Sequence, residues 1–219
     1  MRSKVFDRPK VLADINGQAF LDILIKFLAQ SGFIRFILCL GYRGDMIRHH
    51  VSMQPSHLHF EFSQEDSPLG TAGALKHAQP LITSSQFLVL NGDSLCRIDY
   101  GKFFKFHYAH AASTSMVVRF SSDATASGLV VLDHASKIIA FKEKLDQRQS
   151  GFINAGIYAM DTSVFSLIPD HMQSSLEYDI FPQLALKAMY GFQTEEELIE
   201  IGTPEGLSRA ISVLPQAQS

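Results

Sequence analysis

The chain has 219 residues, 46% hydrophobic and 19% charged, enough for one core of α/β or all-β size and too few to expect two substantial domains. A single domain over 1–219 is therefore expected. Nineteen Lys+Arg against 22 Asp+Glu leave a net charge of −3, so no global field attracts a polyanion, and nucleic acid is excluded as a partner held by bulk charge. Phosphate chemistry would have to come from a local site.

The apolar stretch from Phe33 to Leu40 is broken by Arg35 and falls short of the roughly 20 residues a bilayer span requires. Charges run through the first ten residues, which lack the apolar core of a secretion signal. A cytoplasmic chain with no membrane partner is expected. Cys39 and Cys96, both beside apolar neighbours, read as reduced, buried thiols rather than a disulfide or zinc framework.

Taken in chain order, from Phe20 to Gln30 the residues Phe20, Leu21, Leu24, Phe27 and Leu28 recur at helical spacing and read as an amphipathic helix, and Gly32 stands where a left-handed cap would sit. A buried strand follows over Phe36 to Leu40, then a weaker helix from Arg43 to His50. His57 to Phe62 alternates as a half-buried strand does, and Pro68 and Gly70 lead into an Ala-rich helix over Thr71 to Ala78. Phe87 to Leu90 is a fully apolar strand ending at Asn91-Gly92-Asp93. Beyond it the pattern gives a helix over Asp99 to Ala111 and strands over Thr114 to Phe120, Gly128 to Leu132, Ile138 to Lys142 and Phe152 to Met160. Leu176 to Met189 reads as a helix interrupted near Pro182, Glu197 to Ile201 as a short strand. Thr203-Pro204-Glu205 opens a last helix with cap, N1 proline and first-turn acid in the favoured order. Alternating strands and helices in the first half imply a parallel sheet covered on both faces, with a more antiparallel second half.

Ligands of open parallel sheets gather beyond the carboxyl ends of the strands. Asp93 ends the most apolar strand, after a glycine that permits close backbone approach. A lone carboxylate there suits magnesium, which takes few protein oxygens; capping of the next turn is the plainer alternative. Ser67 to Ala74 sets small residues at a helix N-terminus, where free N–H groups could meet a base edge or phosphate, unless Thr71 is simply a cap. Lys142 and Lys144 end a strand and would normally be solvated. Asn154, polar within an apolar strand, could bind sugar hydroxyls or pin a bulge at Gly156. His49-His50, His57, His59, His107 and His110 lie apart from the acid and cysteine ligands of closed zinc sites and read as solvated or structural.

In this order, Pro9-Lys10, Gly41-Tyr42, Pro68-Leu69-Gly70-Thr71-Ala72-Gly73-Ala74, Asn91-Gly92-Asp93, Glu143-Lys144, Asn154-Ala155-Gly156 and Ile201-Gly202-Thr203-Pro204 resemble the sugar-1-phosphate nucleotidylyltransferases. The likeness spans nearly the whole chain. The run Ser150 to Tyr158 most resembles the heptose 1-phosphate guanylyltransferase branch of that family.

The resemblance implies an α/β, Rossmann-like nucleotide-diphospho-sugar transferase fold, with a mixed, mostly parallel sheet flanked by helices. A nucleoside triphosphate, GTP by branch, and a sugar 1-phosphate, heptose 1-phosphate by branch, would give an NDP-sugar for surface polysaccharide precursors, and pyrophosphate. Carried over residue by residue, Asp93 would hold Mg2+ with Glu200, which stands where aspartate is usual. Lys10 and Lys144 would neutralise nucleotide and sugar phosphate; Gly70, Thr71, Gly73 and Gly92 would line the nucleotide site; Glu143 and Asn154 would bind sugar hydroxyls. A homo-oligomer is compatible with the family pattern. The family opens with a strand and a G-G-x-G-T-R loop that cradles the triphosphate, and here Arg2 matches the second arginine of that loop's tail. A sheet lacking its first strand, and slow turnover by these residues, are expected, either as a shortened version of a longer enzyme or as an inactive sugar-nucleotide-binding or regulatory module.

Overall fold

The computed structural model describes residues 8–124, 129–142, 148–170 and 172–216. In chain order a 3-10 turn at Lys10–Leu12 leads into β1 (Asp14–Ile15), β2 (Gln18–Ala19), α1 (Phe20–Gln30), β3 (Arg35–Leu40), α2 (Gly44–Val51) and β4 (His59–Gln64). Then come α3 (Gly70–His77), β5 (Gln86–Leu90), β6 (Ser94–Cys96), α4 (Tyr100–Ala109), β7 (Thr114–Ser121), β8 (Leu129–Leu132), β9 (Ile138–Lys142) and β10 (Gly151–Asp161). The chain closes with α5 (Phe181–Ala185), β11 (Met189–Thr194), β12 (Leu198–Glu200) and α6 (Pro204–Val213). These elements form two compact units: one takes the chain up to Pro68, Gly92–Leu95 and everything from Ile199, and the other takes Leu69–Asn91 and Cys96–Leu198.

In the first unit, β1 and β2 are a hairpin whose turn residues Asn16 and Gly17 have φ of 54° and 90°. Both central residues of such a turn need left-handed backbone, which Asn-Gly supplies at least cost. α1 buries Phe20, Leu21, Leu24, Ile25 and Leu28 along one face and ends before Gly32, whose φ is 94°. β3 and β4 are parallel, with Phe36 opposite Phe60 and Leu38 opposite Phe62. These four side chains meet Leu21 and Ile25 of α1 and Val51 of α2 in one apolar cluster. The alternation that sends Phe36 and Leu38 inward turns Cys39 the other way. Cys39 is exposed and Cys96 buried, so the expectation of two buried thiols holds for Cys96 alone. β6 pairs with β12 in a separate two-stranded sheet.

The second unit is built on a six-stranded sheet in the order β11-β7-β10-β8-β9, with β5 also on β10. β10 is antiparallel to β7 along both halves, to β8 at Phe152 and to β5 from Ile157 to Asp161, because eleven residues are long enough to serve a different neighbour at each end. The sheet is mixed as expected, but its parallel pair is β7 with β11, so it is more antiparallel than the alternation of elements implied. Its core gathers Met116, Val118, Tyr158, Met160, Phe165, Ile180 and Phe181. Among the described residues, β4 is the ladder partner of β3 and β10 that of β5.

The expected helix from Leu176 to Met189 is a correction. The segment makes one wide π-type turn over Leu176–Ile180, restarts as α5 with Pro182 in its first turn, and ends by Ala185. Met189 instead opens β11, a strand the sequence reading did not expect. Gly191 sits where a Cβ would lie 2.7 Å from a Leu132 methyl, so it marks close side-chain packing inside a strand rather than a turn.

Candidate active site

Within the first unit, the tight turn after Pro9 is closed by Leu12 N–H to Pro9 O (2.9 Å) and Ala13 N–H to Lys10 O (2.9 Å). From this turn Lys10 Nζ reaches Asp93 Oδ2 at 2.8 Å. Asp93 lies just past the carboxyl end of β5, as strand-end chemistry requires. Gly92 before it leaves room for Val11, whose Cγ1 would lie 3.4 Å from an added Cβ. The Asp93 carbonyl accepts a 3.0 Å bond from Ile201 N–H, which ties down the residue after β12. Glu200 is thereby a neighbour: partial loss of hydration, and then the negative Asp93, raise its carboxyl above the ordinary glutamate range. Lys10, Asp93 and Glu200, widely separated in sequence, are thus gathered in one unit.

Among the described residues no group of three or more His, Cys, Asp or Glu could hold a metal ion. A site of two carboxylates suits magnesium, which takes one or two from protein and fills its octahedron with water and phosphate oxygens. The ammonium on Asp93 shows that this carboxylate accepts a cation. Asp93 and Glu200 fit a divalent cation on these grounds. The histidines sit elsewhere: His50 Nε2 is 2.7 Å from Asp22 Oδ1, and His107 is buried with Nδ1 2.9 Å from Ser115 Oγ.

In the second unit, Gly70, Thr71 and Gly73 begin α3, and here the structure departs from expectation. The N–H groups of Ala72 and Gly73 both donate to the Ser174 carbonyl, at 3.0 and 3.2 Å, so these two are not open to a base edge or phosphate. Gly70 has φ of 74°, and a Cβ there would run into the Ser174 carbonyl oxygen. At Gly73 a Cβ would lie 2.8 Å from Met172 O. Thr71 Oγ1 donates to Glu177 Oε2 at 2.8 Å and accepts from Leu176 N–H at 2.8 Å, so its hydroxyl joins two segments rather than capping the helix. Ser175 Oγ donates to the same Glu177 oxygen at 2.9 Å. Ser174 and Glu177 are partners the sequence reading missed; the serine pair followed by Glu177 and Asp179 was the available signal.

Asn154 pins a bulge at Gly156. Its Oδ1 accepts from Gly156 N–H and its Nδ2 donates to Tyr158 Oη, both at 2.8 Å. The pairing of β10 with β7 shifts register between Asn154 and Tyr158. Gly156, at φ of 72°, lets the Asn91 amide sit where a Cβ would be only 2.8 Å away. Burial raises the Tyr158 hydroxyl above the tyrosine range, which leaves it a neutral donor and acceptor. One N–H of Asn154 is left over after these bonds among the described residues. Glu143 and Lys144 lie outside the described residues, just after β9 ends at Lys142.

Known proteins place this geometry in context. The nucleotidyl transferase family model matches residues 6–216. D-glycero-α-D-manno-heptose 1-phosphate guanylyltransferase of Aneurinibacillus thermoaerophilus is 31% identical over 211 residues, covering 96% of this chain and 91% of that protein. The catalytic subunit beta of mannose-1-phosphate guanylyltransferase from Drosophila pseudoobscura pseudoobscura is 30% identical over 228 residues, and the chain spans 61% of its length. Among solved structures, HddC from Yersinia pseudotuberculosis complexed with GMP-PN matches with a TM-score of 0.85 and 32% identity, over 97% of this chain and 92% of that one. A match of this extent, crossing both units, makes the chain a member of the nucleotidyl transferase family.

Proposed function

We propose that the chain transfers a guanylyl group from GTP to a sugar 1-phosphate of the heptose or mannose type, acting as one nucleotidyltransferase domain and releasing pyrophosphate. The observation that carries this reading is the Lys10–Asp93 pair beside Glu200 at a strand end, in a chain that shares about a third of its residues with heptose 1-phosphate guanylyltransferase along almost its full length. A phosphate oxygen of the sugar attacks the α-phosphorus in line. The new P–O bond forms as the bond to the bridging oxygen breaks, and pyrophosphate leaves with the electron pair.

Such a reaction asks the protein mainly for positioning and charge neutralisation. Lys10 is the cation for the nucleotide phosphates and Lys144 the one for the sugar phosphate. Asp93 and Glu200 hold the divalent cation, and magnesium when bound supplies positive charge against the α-phosphate. In this reading Gly92, next to Asp93, serves the nucleotide, and Gly70, Thr71 and Gly73 serve it by their small size, since the Ala72 and Gly73 N–H groups and the Thr71 hydroxyl are already bonded; Glu143 and the remaining N–H of Asn154 serve the sugar hydroxyls.

The test is pyrophosphate release by the pure chain with Mg2+, a panel of nucleoside triphosphates, and heptose, mannose and glucose 1-phosphates. GTP with a heptose or mannose 1-phosphate is the expected pair, and Asp93→Asn should lose about 100-fold or more of the metal-dependent rate while melting like the wild type. Thermal stabilisation by GTP without any pyrophosphate release would instead mark a binding module. An unchanged rate in Asp93→Asn would remove the metal assignment.

A further inference from the structure

We propose that Lys10 occupies Asp93 as a placeholder for the divalent cation and is displaced by it, so that arrival of the cation frees the Lys10 ammonium for a phosphate. The inference rests on the reading that Asp93 and Glu200 hold a divalent cation, and it adds how the chain keeps that place when no cation is there.

Charge arithmetic is the first support. Lys10, Asp93 and Glu200 together carry one positive and two negative charges when ionised. Among the described residues Lys10 is bonded to Asp93 alone and no ion pair to Glu200 is present. The ammonium therefore leaves one negative charge uncompensated. A divalent cation offsets both carboxylates at once. Lys10 is then a cation beside a neutralised pair, and its next counter-ion is a phosphate oxygen.

Geometry makes the exchange feasible. The contact at 2.8 Å is a direct charge-assisted bond to a carboxylate that would otherwise be open to a cation. Half of the Lys10 side chain and a third of the Asp93 side chain are open to solvent, at 51% and 31%, where ion pairs are weak and quickly remade. The Lys10 backbone is fixed in its turn by Pro9 and Ala13, while its four-carbon stem is free to swing the ammonium away without moving that turn.

The experiment measures Mn2+ affinity by titration calorimetry on the full chain with no nucleotide present, for wild type, Lys10→Met, Lys10→Arg, Asp93→Asn and the Lys10→Met/Asp93→Asn double variant. Lys10→Met should bind Mn2+ about tenfold more tightly at low ionic strength, and the gain should shrink as salt screens the pair. Lys10→Arg keeps the competing charge and should bind no more tightly than wild type. Asp93→Asn should abolish binding in both backgrounds. If Asp93→Asn abolishes binding but Lys10→Met binds no better than wild type, the placeholder role is wrong and the metal reading stands. Binding that ignores Asp93→Asn, or no binding by any variant, overturns the metal reading and the placeholder with it.

Discussion

A single amide holds the centre of β10 in its bulged form. Asn154 ties Gly156 N–H to its own oxygen and gives the fully buried Tyr158 hydroxyl a partner 2.8 Å away. Asn154→Ala is expected to strand that hydroxyl, at a cost of about 1–3 kcal/mol, and so to lower Tm by several degrees in a differential scanning measurement. An unchanged Tm would show that the bulge is held by other contacts. Gly70→Ala should cost at least as much, since alanine would have to adopt φ of 74° and its methyl would strike the Ser174 carbonyl; recovery of wild-type Tm would mean that the 172–176 segment can move aside. At this scale Asp93 was legible, because an apolar strand closing on Asn-Gly-Asp announces a strand-end carboxylate. Thr71 was not. Its partner Glu177 lies 106 residues away, and no periodicity in a single sequence reports a contact of that range.

Elements read well where one face is buried and poorly where two signals compete. α1 shows a clean apolar stripe, and its expected bounds from Phe20 to Gln30 are those found. The β1–β2 hairpin was missed although Asn16-Gly17 is a strong hairpin signal, because strands of two residues leave no alternation to read. That turn also serves α6: Asn16 Nδ2 donates to the carbonyls of Ile211 (2.8 Å) and Leu214 (2.9 Å), which the helix end leaves without intrahelical donors. Asn16→Ala removes both bonds and places alanine at φ of 54°; a loss of about 1–2 kcal/mol is expected in denaturant melts, and a loss below about 0.3 kcal/mol would show that α6 docks without this cap.

α4 carries a pH dependence. His107 is buried against Ser115 of β7, with Nε2 lacking a hydrogen-bond partner among the described residues. Burial lowers its pKa below the ordinary 6.5, and Asp161 pulls it part of the way back. The unfolded chain therefore takes up the proton first as pH falls, and stability drops from about pH 6.5 downward until the folded-state value is reached. His107→Phe should flatten the Tm profile between pH 6.5 and 5, where most carboxylates stay ionised; an unaltered slope would assign the loss to other groups.

For the whole molecule, the instructive feature is that the first unit is discontinuous. The chain leaves it after Pro68, returns for Gly92–Leu95, and returns finally at Ile199. The second unit is made of two segments rather than three and holds its sheet within 96–198 apart from β5. A chain ended after Leu198 is therefore expected to keep slow amide exchange along β7 and β10 and to lose it in α1, β3 and β4; equal protection in both regions would show that the first unit does not depend on its last segment. The same layout orders events on the ribosome. Lys10, Asp93 and Glu200 come from three successive visits to one unit, so a nascent chain presents the lysine and then the aspartate, and the constellation is complete only after Glu200 has emerged. Any product released before that point lacks the segment that completes the first unit, and translation itself becomes the timer for assembling the chemistry.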